Sequence, residues 1–225
     1  MVDAVIFDLD GTLIDTISMT GPALAAVSAR CGLPAPSRAA ILGVMGLHDS
    51  EFYRALFPGA DAARLDALAV DVERREGEIG RAIGPGILFP GVAGMLERLA
   101  ARGVAICIAS TGSRGHVRDM LDIAGIAGLV RAVRCDEADK RAMVGRLLDD
   151  IGTRSAVFVG DMDKDIVAAR ANGLRVIGAG FGYVKPRDRG RFDAIADTPE
   201  ALEAMLLADP AADGEGGERE DVSWH

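Results

Sequence analysis

The sequence predicts an α/β fold, a Rossmann-like, doubly wound and mainly parallel sheet with an inserted helical cap domain. Short apolar runs alternate with helical patterns from residue 91 onwards, which is the order of repeated βα units. No strand pattern occurs between Asp15 and Gly86, so a helical insertion is expected there. Hydrophobic residues make up 49% of the 225 residues, which is enough for a packed core.

The first strand is predicted at Ala4–Phe7, because four apolar residues in a row suit a strand that is buried on both faces. The segment that follows shows apolar residues at helical spacing, interrupted by Pro58-Gly59 and by Gly84-Pro85-Gly86. The helices predicted in this insertion are 17–31, 37–43, 50–57 and 61–83.

The alternation of helix and strand then resumes. The predicted elements are helix 91–102, strand 104–109, helix 114–124, strand 130–134, helix 140–151, strand 156–159, helix 165–172, strand 175–177, strand 194–195 and helix 199–207. We therefore expect an α/β core domain at 1–15 and 87–207 and a helical cap domain at 16–86. The remaining segment, 208–225, is expected to be a disordered acidic tail, because it is rich in Gly, Asp and Glu.

Two aspartates follow the first strand, at the point where the chain turns. Ligands of open α/β sheets bind outside the carboxyl ends of the strands. Residues two apart on a strand face the same side, so Asp8 and Asp10 are expected to share a pocket. If the turn has already begun, one side chain and one backbone carbonyl face it instead. Two carboxylates at low dielectric repel each other unless a cation joins them, and Mg²⁺ prefers such oxygen ligands.

A small hydroxyl-and-glycine turn follows the second long apolar run. Ser110, Thr111 and Gly112 lie between a predicted strand and a predicted helix N-terminus, which is an arrangement that binds anions. Ser110 comes directly after the strand and is the preferred candidate, although Thr111 can do the same task. An N-cap role for Ser110 is the structural alternative, and the two roles are compatible.

Charged residues mark two further strand-to-helix turns. Lys140 opens a helical pattern and is one of three lysines in the chain. Asp161 and Asp165 lie four residues apart after the apolar run that ends at Val159. One of these acids can bind a metal directly while the other holds it through water.

The order of these features resembles the haloacid dehalogenase (HAD) superfamily of phosphohydrolases, over roughly residues 1–207. Within that superfamily the chain is most similar to the phosphoglycolate phosphatase-like group with a small helical cap. The segments that carry this likeness are 88–92, 138–140, 159–161, 171–174 and 176–183.

The resemblance implies a nucleophile and an acid–base residue. Asp8 would attack phosphorus and form an aspartyl-phosphate, which a carboxylate can do when a metal screens the charges. Asp10 would protonate the leaving oxygen and later activate water. That role needs a raised pKa, which the like-charged neighbour Asp8 is expected to supply. Thr12 is expected to hold Asp10 by a hydrogen bond.

The resemblance also implies the other ligands. Ser110, with Thr111 and Gly112, would hold the phosphate oxygens. Lys140 would neutralise the nucleophile and the transferring phosphoryl group. The metal expected is Mg²⁺, bound by Asp8, the Asp10 carbonyl and Asp161, with Asp165 acting through water or orienting Lys140.

Substrate choice is expected to lie in the cap, because the core motifs contact only the phosphate. Thr16, His48 and Arg54 are the cap candidates, and the arginine or histidine would grip a substrate carboxylate. Exposure to solvent is the competing interpretation for these residues. His116, on the helix after Ser110, is expected to be exposed.

The function expected is Mg²⁺-dependent hydrolysis of a small phosphorylated metabolite, phosphoglycolate-like or a sugar phosphate. The alternative is a phosphomutase of the β-phosphoglucomutase type, and less favoured is a non-catalytic protein that binds a phosphorylated ligand. Dehalogenation is disfavoured because relatives with that chemistry usually lack the second aspartate, here Asp10. A phosphoacceptor receiver domain is disfavoured by the helical insertion.

The net charge, the cysteines and the apolar stretches of the chain argue against several partners and kinds of site. The net charge of −9 disfavours nucleic acid and anionic membrane surfaces. Cys31, Cys107 and Cys135 are odd in number and widely spaced, so neither a zinc site nor a disulfide framework is expected. The sequence shows no membrane-spanning or signal-peptide pattern, so a cytoplasmic location is expected. The expected oligomeric state is a monomer or a homodimer.

Overall fold

A parallel six-stranded sheet forms the centre of the fold, in the order β3-β2-β1-β4-β5-β6. The computed structural model of the protein describes residues 2–47, 49–135, 137 and 139–208. The strands are β1 Ala4–Phe7, β2 Ala105–Ser110, β3 Val130–Cys135, β4 Ala156–Gly160, β5 Arg175–Ala179 and β6 Ala194–Ala196. All neighbouring pairs are parallel, which confirms the Rossmann-like fold predicted from the sequence. The predicted tail from 209 onwards lies outside the described residues.

The position of β1 decides where the polar residues meet. Phe7 pairs with Ile108 of β2 on one side and with Val159 of β4 on the other. The strand order reverses direction at β1, so the carboxyl ends of β1, β2 and β4 surround one crevice. Asp8 and Asp161 directly follow their strands, and Ser110 ends its own.

Nine α-helices are found among the described residues. They are α1 Ile17–Arg30, α2 Arg38–Val44, α3 Asp49–Leu56, α4 Ala62–Ile83, α5 Val92–Ala101, α6 Arg114–Ile123, α7 Lys140–Ile151, α8 Asp163–Ala171 and α9 Pro199–Leu207. Short 3₁₀ helices lie at Gly84–Ile87, Ala127–Leu129 and Pro186–Arg191. Within the described part of the chain, none of the helices combines the length and the apolar character that crossing a bilayer requires.

Alternate residues of β1 supply the cores on the two faces of the sheet. Val5 and Phe7 face a cluster that includes Val92 of α5 and residues of α6 and α9. Ala4 and Ile6 face a second cluster built with α7 and α8. All four residues of β1 are fully buried, as the period of two along a strand requires when helices cover both faces.

Helices α1 to α4 form a third hydrophobic cluster outside the sheet. Leu24 and Val27 of α1 pack in one cluster with Leu65, Leu68 and Val72 of α4. The cluster also takes in two side chains from the loops beyond β4 and β5, namely Met162 and Tyr183. The helical insertion is thus packed directly over the crevice rather than extended into solvent.

The start of α8 differs from the sequence prediction, since the helix begins at Asp163 and not at residue 165. Met162 has an extended backbone and is the N-cap, and Asp165 lies at the third helical position. The Asp165 carboxylate accepts hydrogen bonds from the backbone N–H groups of Asp161 and Met162, at 3.1 and 2.9 Å. An acid in the first turn therefore satisfies amides that a helix start otherwise leaves unpaired.

The segment after β5 closes on the turn that follows β1. Gly11 adopts a left-handed conformation, with φ of 83°, and its carbonyl accepts a hydrogen bond of 3.1 Å from the Tyr183 amide. The Tyr183 hydroxyl donates to Asp15 and accepts from the amide of Ile17 at 2.8 Å. Tyr183 therefore ties the aspartate turn to the first helix of the insertion.

Gly182 is expected to tolerate no side chain, because a methyl group there would overlap the Gly11 carbonyl oxygen. We expect Gly182→Ala to lower the free energy of unfolding by about 1–3 kcal/mol, the usual result of overpacking. Urea denaturation measures this. Gly128→Ala is the control, since its added methyl group meets nothing within 4 Å. Equal stability of the two variants would contradict the close approach.

Candidate active site

The crevice above β1 holds a group of buried charged side chains. Asp8 is only 4% exposed, Lys140 only 5%, and Asp161 and Asp165 are fully buried. Asp8 continues the β1 strand, since its amide donates to the Val159 carbonyl at 2.9 Å. These four side chains come from three separate strand-to-helix turns.

Lys140 lies between two of the acids. Its Nζ donates to Asp8 Oδ1 at 2.5 Å and to Asp165 Oδ1 at 2.6 Å. The lysine opens α7, and the N-cap of that helix is Asp139. Burial opposes the charged form of Lys140, but the two carboxylates outweigh it and raise the pKa of Lys140 above its ordinary value. The ammonium group is therefore fixed in its charged state beside Asp8.

The three buried aspartates fit a hard divalent cation. One carboxylate oxygen from each of Asp8, Asp161 and Asp165 lies within 4.8 Å of the others. Burial, with repulsion from the neighbouring acids, raises the pKa of Asp161 well above its ordinary value. Among the described residues, Asp161 Oδ2 is a buried oxygen with no hydrogen-bond partner. A carboxylate oxygen left in this state is a ligand available to a cation.

The hydrogen bonds divide the acids into two kinds. Both oxygens of Asp165 are engaged, Oδ1 by Lys140 and Oδ2 by two backbone amides, so Asp165 positions its neighbours. The Thr12 hydroxyl donates to Asp161 Oδ1 at 3.0 Å. The prediction that Thr12 holds Asp10 is wrong, because the turn directs its hydroxyl across the crevice to the β4 side.

Asp10 has different partners from those expected. Its Oδ1 accepts a hydrogen bond of 2.8 Å from the Thr16 hydroxyl. His116 Nε2 lies 3.0 and 3.1 Å from the two carboxylate oxygens. Burial alone would raise the pKa of Asp10, but the charge and the hydrogen bond of His116 outweigh it and lower this pKa to about 2. The expected rise caused by Asp8 does not occur.

His116 is also not exposed as the sequence predicts. Its side chain is only 18% exposed, and attraction to Asp10 is the main cause that raises its pKa to about 9. Ser113 is the N-cap of α6 and accepts a hydrogen bond of 3.1 Å from the His116 amide. The first turn of α6 thereby directs the imidazole into the crevice.

The turn after β2 forms another side of the crevice. Ser110 is buried, and its hydroxyl accepts a hydrogen bond of 3.1 Å from the Gly112 amide. The Thr111 hydroxyl accepts a hydrogen bond of 2.7 Å from Lys164 Nζ. Since Ser113 caps α6, the capping role considered for Ser110 belongs to Ser113.

A cavity of about 170 Å³ lies between this polar group and the helical insertion. From the sheet side it is lined by Asp8, Asp10, Ser110, Thr111, Gly112, Ser113, His116, Met162 and Lys164. From the insertion it is lined by Thr16, Thr20, Met45, Gly46, Leu47, Phe52, Tyr53, Ala69, Glu73 and Glu76. Thr16 is therefore in the cavity, Arg54 is exposed and does not line it, and His48 lies outside the described residues.

Sequence reasoning missed four charged residues of this cavity: His116, Lys164, Glu73 and Glu76. Lys164 had a local signal, since it is one of three lysines and directly precedes Asp165. Glu76 had none, because a glutamate on a long amphipathic helix is usually exposed. Here burial raises the pKa of Glu76 to about 7, although a hydrogen bond from Thr20 and the charge of His116 act against the rise.

Replacing Lys140 is expected to leave two buried carboxylates without their cation. We expect Lys140→Met to lower the free energy of unfolding at neutral pH by about 3–5 kcal/mol, as when one partner of a buried ion pair is removed. Arg141→Met is the control, because Arg141 pairs with Asp139 at the exposed surface. Urea denaturation in EDTA measures both, and a Lys140→Met loss as small as that of Arg141→Met would contradict this arrangement.

The raised pKa of Glu76 predicts a pH dependence of stability. The pKa in the folded state is about 7, above the ordinary 4.5, so the folded state loses stability as pH rises from 4.5 through 7. Glu76→Gln lacks this loss. The difference in unfolding free energy, variant minus wild type, should therefore increase between pH 4.5 and 7 and stay constant above pH 7.

Urea denaturation between pH 4.5 and 8.5 checks this prediction. The matched control is Glu78→Gln on the same helix, because its hydrogen bond with Arg75 lowers the pKa of Glu78. The difference in unfolding free energy between Glu78→Gln and wild type should not grow between pH 4.5 and 7. A gain for Glu76→Gln that is the same at every pH would refute a raised pKa.

Comparisons with known proteins agree with this geometry. Residues 5–179 match the family model described as haloacid dehalogenase-like hydrolase. The plasmid-encoded phosphoglycolate phosphatase of Cupriavidus necator is 29% identical over 217 residues, which cover 90% of this chain and 92% of that protein. A phosphoglycolate phosphatase of Yersinia pseudotuberculosis is 30% identical over 81% of this chain and 82% of its own.

Solved structures share the fold. The crystal structure of a predicted phosphoglycolate phosphatase from Haemophilus somnus superposes with a TM-score of 0.81 at 21% identity, covering 92% of this chain and 98% of that one. The family model spans most of the chain, including β1 to β5 and the turns that carry the buried acids. The chain therefore belongs to the haloacid dehalogenase-like hydrolases.

Proposed function

We propose that this protein is a Mg²⁺-dependent phosphatase that hydrolyses a small phosphorylated metabolite through an aspartyl-phosphate on Asp8. The observation that carries the proposal is the Asp8 carboxylate, which lines the cavity, lies 2.5 Å from Lys140 and shares a cluster with the unpartnered Asp161 oxygen. The phosphoglycolate phosphatases similar to this chain over most of its length support the same reaction class.

The residues available to hold Mg²⁺ are Asp8 and Asp161, joined by the backbone carbonyl of Asp10. Asp165 acts through Lys140 and the backbone amides that it binds. When bound, Mg²⁺ would screen the negative charges of Asp8 and the phosphate and so make their approach possible.

In the first half of the reaction, an oxygen of Asp8 bonds to phosphorus and the bond to the leaving oxygen breaks. Lys140 offsets the charge beside Asp8, and the Ser110 hydroxyl with the amides that follow it holds the phosphoryl oxygens. The leaving oxygen takes a proton from the Asp10–His116 pair. Since the pKa of Asp10 is lowered and that of His116 is raised, the transferable proton of this pair lies on His116.

In the second half, a water molecule attacks phosphorus of the aspartyl-phosphate. Asp10 takes a proton from that water and passes it to His116, the bond between phosphorus and Asp8 breaks, and phosphate leaves with the Asp8 carboxylate restored. Thr16 of the insertion holds Asp10 by a 2.8 Å hydrogen bond, so the acid–base group keeps a fixed position in the cavity.

We further propose that residues 16–86 act as a cap domain over a core domain of residues 1–15 and 87–207. The hydrogen bonds of Tyr183 to Asp15 and Ile17 support a fixed join between the two. A cap that covers the cavity would exclude bulk water from the reacting groups. A cytoplasmic location and a monomeric or homodimeric state remain predictions.

Phosphate release from a panel of small phosphate esters tests the proposal. We expect release that needs Mg²⁺, stops in EDTA and falls by about 10³-fold or more in Asp8→Asn, because the nucleophile is lost. Asp163→Asn is the matched control, since Asp163 begins α8 only two residues after Asp161 but forms an ion pair with Arg191 at the surface.

Circular dichroism would first establish that both variants are folded. Activity retained by Asp8→Asn would exclude the aspartyl-phosphate route. Transfer of phosphate between sugar phosphates without net release would instead identify a mutase.

A further inference from the structure

The two sides of the cavity differ in charge. The sheet side carries two cations, His116 and Lys164, together with two acids, whereas the only charged groups on the described part of the insertion side are the acids Glu73 and Glu76. Residues 16–86 contain seven arginines and no lysine. Among the described residues, none of these arginines lines the cavity.

The acids lie on one face of α4. Ala69, Glu73 and Glu76 are spaced four and three residues apart, which places them on a common stripe of the helix, and all three line the cavity. Glu73 is exposed at the rim and Glu76 is half-buried. Thr20 of α1 is buried and lines the same cavity as Glu76.

The cations of the described site already have acidic or hydroxyl partners. His116 contacts Asp10, Lys164 donates to Thr111, and Lys140 donates to Asp8 and Asp165. Lys164 keeps its charge, because Thr111 is neutral, but that contact places the ammonium beside the turn proposed to hold the phosphate. A carboxylate on the leaving group would therefore meet the like charges of α4, while His116 and Lys140 are already paired with Asp10, Asp8 and Asp165. A hydroxyl or an ammonium group would instead donate hydrogen bonds to Glu76 and Glu73.

We propose that Glu76, Glu73 and Thr20 form the leaving-group subsite and select phosphate esters whose leaving group carries hydrogen-bond donors over esters that carry a carboxylate. This selection rests on the phosphatase function proposed above. Like-charge repulsion in a partly desolvated site provides the discrimination. The cavity is small, so the ester expected has a short leaving group.

Three two-carbon esters of matched size provide the test at pH 8.5, where Glu76 with its pKa of about 7 is ionised: 2-phosphoglycolate, 2-hydroxyethyl phosphate and phosphoethanolamine. They end in a carboxylate, a hydroxyl and an ammonium group. We expect the wild-type kcat/KM of at least one donor-bearing ester to exceed that of 2-phosphoglycolate about tenfold or more. A preference for 2-phosphoglycolate would overturn the proposal. Comparing kcat/KM for 2-hydroxyethyl phosphate and phosphoethanolamine shows whether the subsite selects a hydroxyl or an ammonium group.

Glu76→Gln tests the residue itself. The ratio of kcat/KM between a donor-bearing ester and 2-phosphoglycolate does not depend on how much of the variant is folded. We expect that ratio to fall about tenfold in Glu76→Gln, because the repulsion of the carboxylate is removed. It should stay unchanged in Glu78→Gln, whose side chain pairs with Arg74 and Arg75 outside the cavity. An unchanged ratio in Glu76→Gln would overturn the role of Glu76.

Binding separates this proposal from the phosphatase proposal. Calorimetric titration of Asp8→Asn with the three esters in Mg²⁺ measures affinity without turnover. Tighter binding of the donor-bearing esters, with no hydrolysis by wild type, would support the subsite and refute the phosphatase. Hydrolysis by wild type, with tightest binding of 2-phosphoglycolate by Asp8→Asn, would support the phosphatase and refute the subsite.

Discussion

The excess of buried negative charge around one lysine is the constraint on which the rest of this structure depends. Asp8, Asp161 and Asp165 are grouped within 4.8 Å, and Lys140 supplies a single ammonium group to two of them. Buried carboxylates in such proximity are costly without further positive charge. The unpartnered oxygen of Asp161 is a ligand available to such a charge. The electrostatics that limit stability thus prepare the site for catalysis.

The sheet topology makes this grouping possible. The carboxyl ends of β1, β2 and β4 are adjacent because β2 and β3 are added on one side of β1 and the later strands on the other side. Tyr183, after β5, then joins the aspartate turn to the insertion through Gly11, Asp15 and Ile17. Gly182 lies so close to the Gly11 carbonyl that no side chain fits between them. The turn that follows Asp8 and the insertion are therefore held by the same short segment.

The charge pattern of the cavity separates two tasks. In the proposed function, the cations and the Ser110 turn of the sheet side would hold the phosphate, which every phosphate ester shares. The acids and apolar groups of the insertion side would then contact the part that differs between esters. Arg54, one of the cap candidates for a carboxylate ligand in the sequence analysis, lies exposed outside the cavity. The name of a relative therefore does not fix the leaving group of this chain's substrate.

The sequence by itself determined the α/β fold, because apolar runs and helical periodicity are local signals. It also indicated that Asp8, Ser110 and Asp161 lie at one edge, because parallel strands carry their carboxyl ends together. Only the tertiary structure decided the partners of these residues. Asp10 meets His116 across 106 residues, and Thr12 meets Asp161 across 149. Such contacts follow from how distant segments pack together in the fold. The sequence has no periodic pattern that reports this packing. The pKa of Asp10 and the acidic face of α4 therefore depend on packing, and not on sequence pattern.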